Sequence, residues 1–332
     1  MVKLIAYHVS DEEAQIINQW SQTTGIEVKM VKEELSLNSV HQAEGYDAIT
    51  NGQVSNVDSR VYPILKGYGI KAIGQRSAGF EMYDINEARQ YDITITNVPS
   101  YSPESIAEFT IFAILRQLRN IALIDQRVEE QNFSWEPVIR SRPLNKLTVA
   151  VIGVGRIGSR VASILKNGFG AKVLAYDIEE RAEFRDIVDY QEDLLSAVKD
   201  ADIITLHMPA TTDNYRQFNK ELFSKLKKGV ILINAARGRI VDTEDLIEAL
   251  NSGHVQSAAL DVYEYEGPYM PKNWESRTIE DPIFQKLLDH PRIYYTPHIA
   301  YYTDEAVKNL VEGGLNSALE VVKNGHAINQ VN

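Results

Sequence analysis

The segment VIGVGRIG at 151–158 constrains this chain more than any other part of it. Its glycines, Gly153, Gly155 and Gly158, end an apolar run from Leu147 to Ile152 and open a helical stretch from Ser159 to Lys166. A second apolar run, KVLAYD, follows and closes on Asp177. GxGxxG alone is a weak signal, because glycines also serve ordinary turns. Set between strand, helix and second strand, with an acidic residue about twenty positions on, it becomes a dinucleotide fingerprint. Gly153 would permit the sharp turn, Gly155 would let backbone approach a pyrophosphate, and Gly158 would let helix and strand pack closely. The pyrophosphate then meets free N–H groups at a helix N-terminus, where the helix dipole favours negative charge.

Nearly half of the 332 residues precede this fingerprint, so another folded part comes first, and the length suits two domains. In the first hundred residues KLIAYHV, EVKMV, YDAIT, KAIGQ and ITITNV read as strands. Helical patterns at 12–22, 61–67 and 85–90 lie among them, an alternation that argues for parallel βαβ units. Ser102-Pro103-Glu104-Ser105 starts a long helix, with Glu104 and Glu108 early in it, which reads as a connection packed on both domains. From Leu147 come LTVAVIG, KVLAYD, DIITLHMP, GVILINAA, SAALDV and RIYYTPH, with helical segments including 218–228 and 243–251. This is the six-stranded size of a doubly wound dinucleotide domain. Residues 303–323 then form an amphipathic helix with Val307, Leu310, Val311, Leu315, Leu319 and Val322 on one stripe. It comes too late for that sheet and is expected to pack back on the first domain. The expected division is 1–101 with 300–332, and 102–299.

Charge narrows the partners. Lys and Arg number 34 against 46 Asp and Glu, a net charge of -12, which repels nucleic acid and anionic membranes. An anionic substrate therefore needs a locally placed Arg or Lys. Cysteine is absent, which removes disulfides, thiolate zinc sites and a catalytic thiol, and no metal site is expected. MVKLIAYHV runs directly into DEEAQ and reads as a first strand rather than a signal peptide. No apolar run approaches the ~18 residues of a membrane span, and a cytoplasmic protein is expected.

In a doubly wound sheet, ligands bind beyond the carboxyl ends of the strands. Asp177 sits at such an end and can accept hydrogen bonds from ribose hydroxyls, which selects NAD over NADP; an ordinary acidic loop residue is the alternative. His207, Met208, Pro209 and Asn214 follow the next strand, where contact with a nicotinamide riboside and a plain loop exit are about equally compatible. Arg237, in INAARGR, offers a planar two-point clamp for a carboxylate, with Arg239 as its local competitor. Asp261, Glu264 and Glu266 follow the fifth strand, and either glutamate could orient an imidazole. His298, in TPHIAYY, closes the sixth strand and is the best-placed acid–base candidate among the histidines.

With these residues in view, the chain resembles the D-isomer-specific 2-hydroxyacid dehydrogenases over essentially its whole length, and within them the bacterial D-lactate enzymes. The resemblance lies in QRSAGFEMYD, NVPSYSPESIAEF, VIGVGRIG with Asp177, INAARG, ALDVYEYE and TPHIAYYT. It implies an α/β protein in which a doubly wound parallel-sheet NAD domain is inserted in a smaller, flavodoxin-like catalytic domain. The catalytic Arg, Glu and His of the family fall on Arg237, Glu266 and His298. NAD contacts fall on Gly153, Gly155, Arg156, Ile157, Gly158, Asp177, Met208, Pro209, Asn214, Ala235, Ala236, Arg237 and Asp261. Ser77, Ala78, Gly79, Tyr101 and Tyr301 would meet the substrate together with Arg237 and His298. RSAGFEMYD stands where many relatives carry RNVGxDNID, and Tyr301 where some lactate enzymes have Phe. Both departures bear on the substrate's side chain and leave the reaction type untouched.

The activity so implied is reversible reduction of pyruvate to D-lactate by NADH, in a homodimer that joins through the nucleotide domains and the helix from Ser102. A preference for larger 2-keto acids, such as 2-ketoisocaproate or phenylpyruvate, is the nearest alternative. A non-catalytic NAD sensor or corepressor on the same fold is the alternative from another class.

Overall fold

The computed structural model describes residues 2–332. The chain divides into two compact units: one runs to Ser102 and resumes over Tyr302–Asn332, and the other is Pro103–Tyr301.

The first unit opens with β1 (Lys3–Tyr7), α1 (Asp11–Thr24), β2 (Glu27–Met30), β3 (Ala48–Asn51), α2 (Val61–Gly67), β4 (Ala72–Gln75), α3 (Ile85–Gln90) and β5 (Thr94–Thr96). Local signals set these limits. Ser10 accepts from the Glu13 amide while the Glu13 carboxylate accepts from the Ser10 amide, a capping box at the start of α1. Gly25, left-handed at φ 69°, ends the same helix. The strands pair in parallel in the order β2-β1-β3-β4-β5, the flavodoxin-like arrangement. Every residue of β3 and β4 is buried, as a parallel sheet covered on both faces requires.

The second unit holds α4 (Pro103–Leu118), α5 (Ile121–Glu129), β6 (Thr148–Ile152), α6 (Arg156–Ser163), β7 (Lys172–Tyr176), β8 (Asp189–Tyr190), α7 (Leu194–Val198) and β9 (Ile203–Leu206). It continues through α8 (Lys220–Lys225), β10 (Val230–Asn234), α9 (Thr243–Asn251), β11 (Val255–Leu260), α10 (Pro282–Leu288) and β12 (Ile293–Tyr295). Its sheet is parallel, in the order β12-β11-β10-β9-β6-β7-β8. Successive side chains serve opposite faces. Ala150 and Ile152 of β6 enter one core and Val149 and Val151 the other, and β10 divides Leu232 from Ile231 and Ile233 in the same way. The sheet has seven strands where six apolar runs were readable, because β8 is only Asp189–Tyr190 and carries no apolar run. The helix expected over 218–228 is confined to Lys220–Lys225, capped by Asn219, while Phe218 bridges to Val241.

After β12 the chain returns to the first unit as α11 (Asp304–Asn324), capped by Thr303 and ended by left-handed Gly325. Val311, Leu315, Ala318 and Val321 of α11 pack with Leu4, Ala6, Ile17, Trp20, Ala48 and Ala72. The helix lies so close to β4 that a methyl on Gly74 would sit 2.2 Å from the Gly314 carbonyl oxygen. Among the described residues, no helix is long and apolar enough to cross a membrane, and no group of three or more His, Asp or Glu side chains could hold a metal ion.

Candidate active site

Order reverses in the larger sheet between β6 and β9, and the glycine turn stands at that reversal. Gly153 has φ 89°, and a methyl there would lie 2.8 Å from the His207 carbonyl carbon. On Gly158 a methyl would meet the Gly153 oxygen at 1.9 Å, so α6 rests directly on the turn. A methyl on Gly155 would find nothing within 4 Å. Two glycines are therefore required by the protein's own packing, while the third leaves open space at the start of α6, where Arg156 is exposed and Ile157 half-buried. This is a cradle suited to a pyrophosphate. Asp177 stands beside it at the end of β7, accepting from the Val154 amide at 2.6 Å and the Glu179 amide at 3.0 Å. The residues present fit NAD.

Beyond β9, His207 Nε2 lies 2.9 Å from Thr205 Oγ1, and burial pushes its imidazole down to about 3, so it is neutral at physiological pH. The loop after it closes on itself. Asn214 Nδ2 donates to the Pro209 carbonyl, and Asn214 Oδ1 accepts from the Thr211 amide, both at 2.8 Å. Half-buried Met208 packs against the core beside it.

At the end of β10 the buried Asn234 winds the next loop around itself. Its Oδ1 accepts from the Ala236 amide and its Nδ2 donates to the Arg237 carbonyl, both at 3.0 Å. Ala235, Ala236 and Arg237 are thereby held at the strand's carboxyl end, with Arg237 Nη1 donating to the Ala236 carbonyl at 2.9 Å. Arg239, the local competitor, is exposed.

Asp261, just past β11, organises the end of β12. Its carboxylate accepts from Thr296 Oγ1 at 2.6 Å, the Ile299 amide at 2.9 Å and the Ala300 amide at 2.8 Å. Its carbonyl accepts from the His298 amide at 2.8 Å. These bonds hold His298 at φ 57°, a left-handed conformation uncommon outside glycine. His298 Nδ1 then meets Glu266 Oε1 at 2.7 Å, and Glu266 Oε2 accepts from the Tyr263 amide at 2.8 Å. Burial disfavours the charged imidazole, but the hydrogen bond and charge of Glu266 outweigh it, and His298 is raised above the ordinary histidine value. Asp261 adds to the rise and Arg237 opposes it. With Nδ1 engaged, Nε2 is the ring nitrogen able to exchange a proton with a substrate.

The two glutamates that strand position left equivalent, and between which the family resemblance chose Glu266, are separated by their partners. Glu266 meets His298, whereas Glu264 is buried against Arg216, 2.8 Å from its Nε, and accepts from the Tyr215 hydroxyl. Arg237, Glu266 and His298 come together because they follow β10, β11 and β12, which are neighbours in the sheet. Tyr301 is half-buried three residues after His298.

In the first unit, Ser77, Ala78 and Gly79 follow β4, and Ser77 Oγ donates to the Gly79 carbonyl at 2.6 Å. Gln75 Nε2 donates to Ser77 Oγ at 3.0 Å, and Asn97 Nδ2 to the Ala78 carbonyl at 2.7 Å. Tyr83 donates to Gln75 Oε1 and accepts from Asn51 Nδ2, so a buried polar chain underlies this loop. The Tyr101 carbonyl accepts from Asn309 of α11 at 2.6 Å. Sequence reading missed Arg216 and this polar chain, since they act through partners remote in sequence such as Glu264 and Tyr83, and it missed Asn234 because its role is to hold the turn through Ala236 and Arg237, a local bond that leaves no pattern in the sequence.

Comparison with known proteins agrees with this architecture. Residues 111–300 match the family described as D-isomer specific 2-hydroxyacid dehydrogenase, NAD binding domain. The D-lactate dehydrogenase of Streptococcus pyogenes serotype M1 is 49% identical over 331 residues, covering 100% of both chains. The structure of a D-lactate dehydrogenase of Treponema pallidum is similar at TM-score 0.93, with 33% identity and 100% of both chains covered. The D-isomer specific 2-hydroxyacid dehydrogenase of Lactobacillus delbrueckii ssp. bulgaricus, in its NAD-complexed form, matches at TM-score 0.89 and 34% identity, again over 100% of both chains.

Proposed function

The chain belongs to the D-isomer specific 2-hydroxyacid dehydrogenases, and from that premise we propose that Arg237, Glu266 and His298 carry its reaction. The activity is that of an NAD-dependent D-lactate dehydrogenase, a reversible hydride transfer between NADH and pyruvate that gives D-lactate. The pairing of His298 with Glu266 at 2.7 Å, on the strand ends beside Arg237, is the observation that supports the assignment of roles.

Arg237 would clamp the substrate carboxylate through two parallel N–H donors and help to polarise the ketone. When bound, NADH supplies the hydride that reaches the carbonyl carbon. Protonated His298 would donate from Nε2 to the developing alkoxide, and Glu266 would keep the ring charged until it does so. In the reverse direction the neutral ring would take the hydroxyl proton. General acid catalysis of this kind is worth about 10²- to 10⁴-fold. Asp177 would accept from the ribose hydroxyls and repel a ribose phosphate, so NADH is preferred to NADPH.

Steady-state rates with pyruvate, 2-ketoisocaproate and phenylpyruvate test the substrate. The highest kcat/KM is expected with pyruvate, and a larger acid reduced faster would overturn that choice. Absence of NADH oxidation with every 2-keto acid would favour the sensor. We also propose a homodimer formed through the larger unit. Phe133 and Trp135 are 73% and 94% exposed there, and the neighbouring α5 buries no residue in its own chain. Sedimentation at micromolar concentration is expected to give the dimer mass, against which a monomer would count. The cytoplasm is the proposed location, to be tested by cell fractionation.

A further inference from the structure

Arg216 lies in the connection between β9 and α8 at φ 48°, and its amide and its guanidinium nitrogens reach two other loops, while its carbonyl accepts from Asn219 in its own connection. Its amide donates to the Arg239 carbonyl at 2.8 Å, and Nη1 pairs with Asp242 Oδ2 at 3.0 Å. Both partners belong to the loop that carries Arg237. On the other side, Nε donates to both oxygens of Glu264, at 2.8 and 3.1 Å, and Nη2 to the Tyr265 hydroxyl at 2.8 Å. These partners immediately precede Glu266. Next to Arg216, the Phe218 amide donates to Ile240 and the Phe218 carbonyl accepts from Asp242, both at 3.0 Å, which zips this connection to the Arg237 loop.

The two loops so joined also touch directly. A methyl on Gly238 would stand 2.2 Å from the Tyr263 carbonyl carbon and 2.5 Å from the Glu264 nitrogen, so backbone lies on backbone. Tyr263 is the residue whose amide holds Glu266 Oε2. The connected path is therefore Arg216 to Glu264, through the Tyr263 backbone to Glu266, and on to His298. The Glu264 side chain is 1% exposed, and a carboxylate so enclosed is strongly destabilising once its guanidinium is gone. Relief by an outward turn of Glu264 would carry the adjoining Tyr263 backbone with it and draw its amide away from Glu266.

We propose that Arg216 is a positioning residue for the reaction, fixing the Arg237 loop and the Glu266 loop in mutual register through its pair with buried Glu264. The proposal rests on the assignment of Arg237, Glu266 and His298 made above. It differs from a purely structural role in what it moves. The charged groups that face His298 are Glu266, Asp261 and Arg237, and all three sit on the two connections that Arg216 joins.

The test uses the full chain with Arg216→Gln and Glu264→Gln, the second keeping the shape of the buried side chain. The imidazole of His298 is titrated by NMR, kcat and KM for pyruvate are measured against pH, and NADH affinity and Tm serve as controls for folding. In each variant His298 is expected to titrate at least about half a pH unit lower and kcat/KM to fall about tenfold, with NADH affinity within about twofold. When Arg216→Gln is placed on Glu266→Gln, its further cost should shrink to less than about threefold, because the two act through one contact. An unmoved His298 titration together with fully additive losses in that pair would overturn the proposal. Should Arg216→Gln fail to fold, Arg216→Lys and Glu264→Gln decide it by the same titration. If the wild-type chain reduced no 2-keto acid, the assigned reaction would fall, while the His298 titration would still decide whether Arg216 positions Glu266.

Discussion

His298 must carry a charge in a place that resists one. Burial favours the neutral ring and Arg237 adds to that, while the carboxylate of Glu266 at 2.7 Å, helped by Asp261, outweighs them and raises the imidazole above its ordinary value. In the proposed mechanism pyruvate reduction needs the protonated ring, so it should persist with rising pH until that proton leaves. Glu266→Gln removes the group that raises His298; the reductive pH profile should move to the acid side, and oxidation of D-lactate should begin at lower pH. Profiles of kcat/KM in both directions check this, and an unmoved pair of limbs would separate Glu266 from the acid. His298→Gln should lower kcat by about 10²- to 10⁴-fold while NADH affinity, followed by fluorescence, stays near wild type. A variant with ordinary turnover would remove His298 from the acid role. Position at a strand end made Arg237, His298 and Asp177 readable from sequence, because a doubly wound sheet gathers such ends into one place. For a physical reason, strand position alone does not distinguish Glu264 from Glu266, and the choice of Glu266 came from the family resemblance. They are the same residue type two positions apart in one loop, and what separates them is a partner 48 residues away for one and 32 for the other.

At the scale of elements, the strand–turn–helix at 148–163 separates glycines needed by the fold from one free to serve a ligand. Gly158→Ala forces a methyl to 1.9 Å from the Gly153 carbonyl, a backbone atom that cannot swing away, so α6 must lift from the turn. Both Tm and NADH affinity should fall. Gly155→Ala meets open space within the chain; Tm should stay within about 2 °C of wild type while NADH affinity drops about tenfold or more, since the added methyl stands where backbone must approach the pyrophosphate. Thermal melts and NADH titrations of the two variants check the contrast, and equal effects on both would refute the division of roles. Elements with a strong period were legible: the helices at Val61–Gly67, Ile85–Gln90 and Thr243–Asn251 fall where their patterns put them. Those without one were not. β8 is two residues long and leaves no stripe to read, whereas α5 has Ile121, Ile124 and Val128 at helical spacing but follows the long helix after only Arg119 and Asn120, so no breaker marks it as a separate element.

For the molecule as a whole, the chain leaves its first unit after Ser102 and returns at Tyr302, so that unit is completed only by the last residues. The returning helix was legible because its apolar stripe at 307–322 had no place in a dinucleotide sheet already complete before it. Its structural weight comes from packing. α11 covers one face of the five-stranded sheet through Val311, Leu315 and Ala318, and its Asn316 accepts from Trp20 Nε1 at 2.8 Å. Removing it would expose apolar surface at the buried Leu4, Ala6, Ala48 and Ala72 and at Trp20, leaving α1 with Ile17 as the remaining cover on that face. The second unit keeps its whole seven-stranded sheet and both of its cores in that truncation. A chain ending at Tyr301 should therefore lose its first unit and retain the second. Trp20 emission should shift to the red, protease should trim the residues before Pro103, and the remaining fragment should bind NADH with an affinity within about threefold of the full chain, because the glycine turn and Asp177 both lie inside it. A truncated chain that resisted protease throughout and kept Trp20 buried would show that the five-stranded sheet closes without α11, and the final helix would then be an appendage rather than the missing wall of its unit.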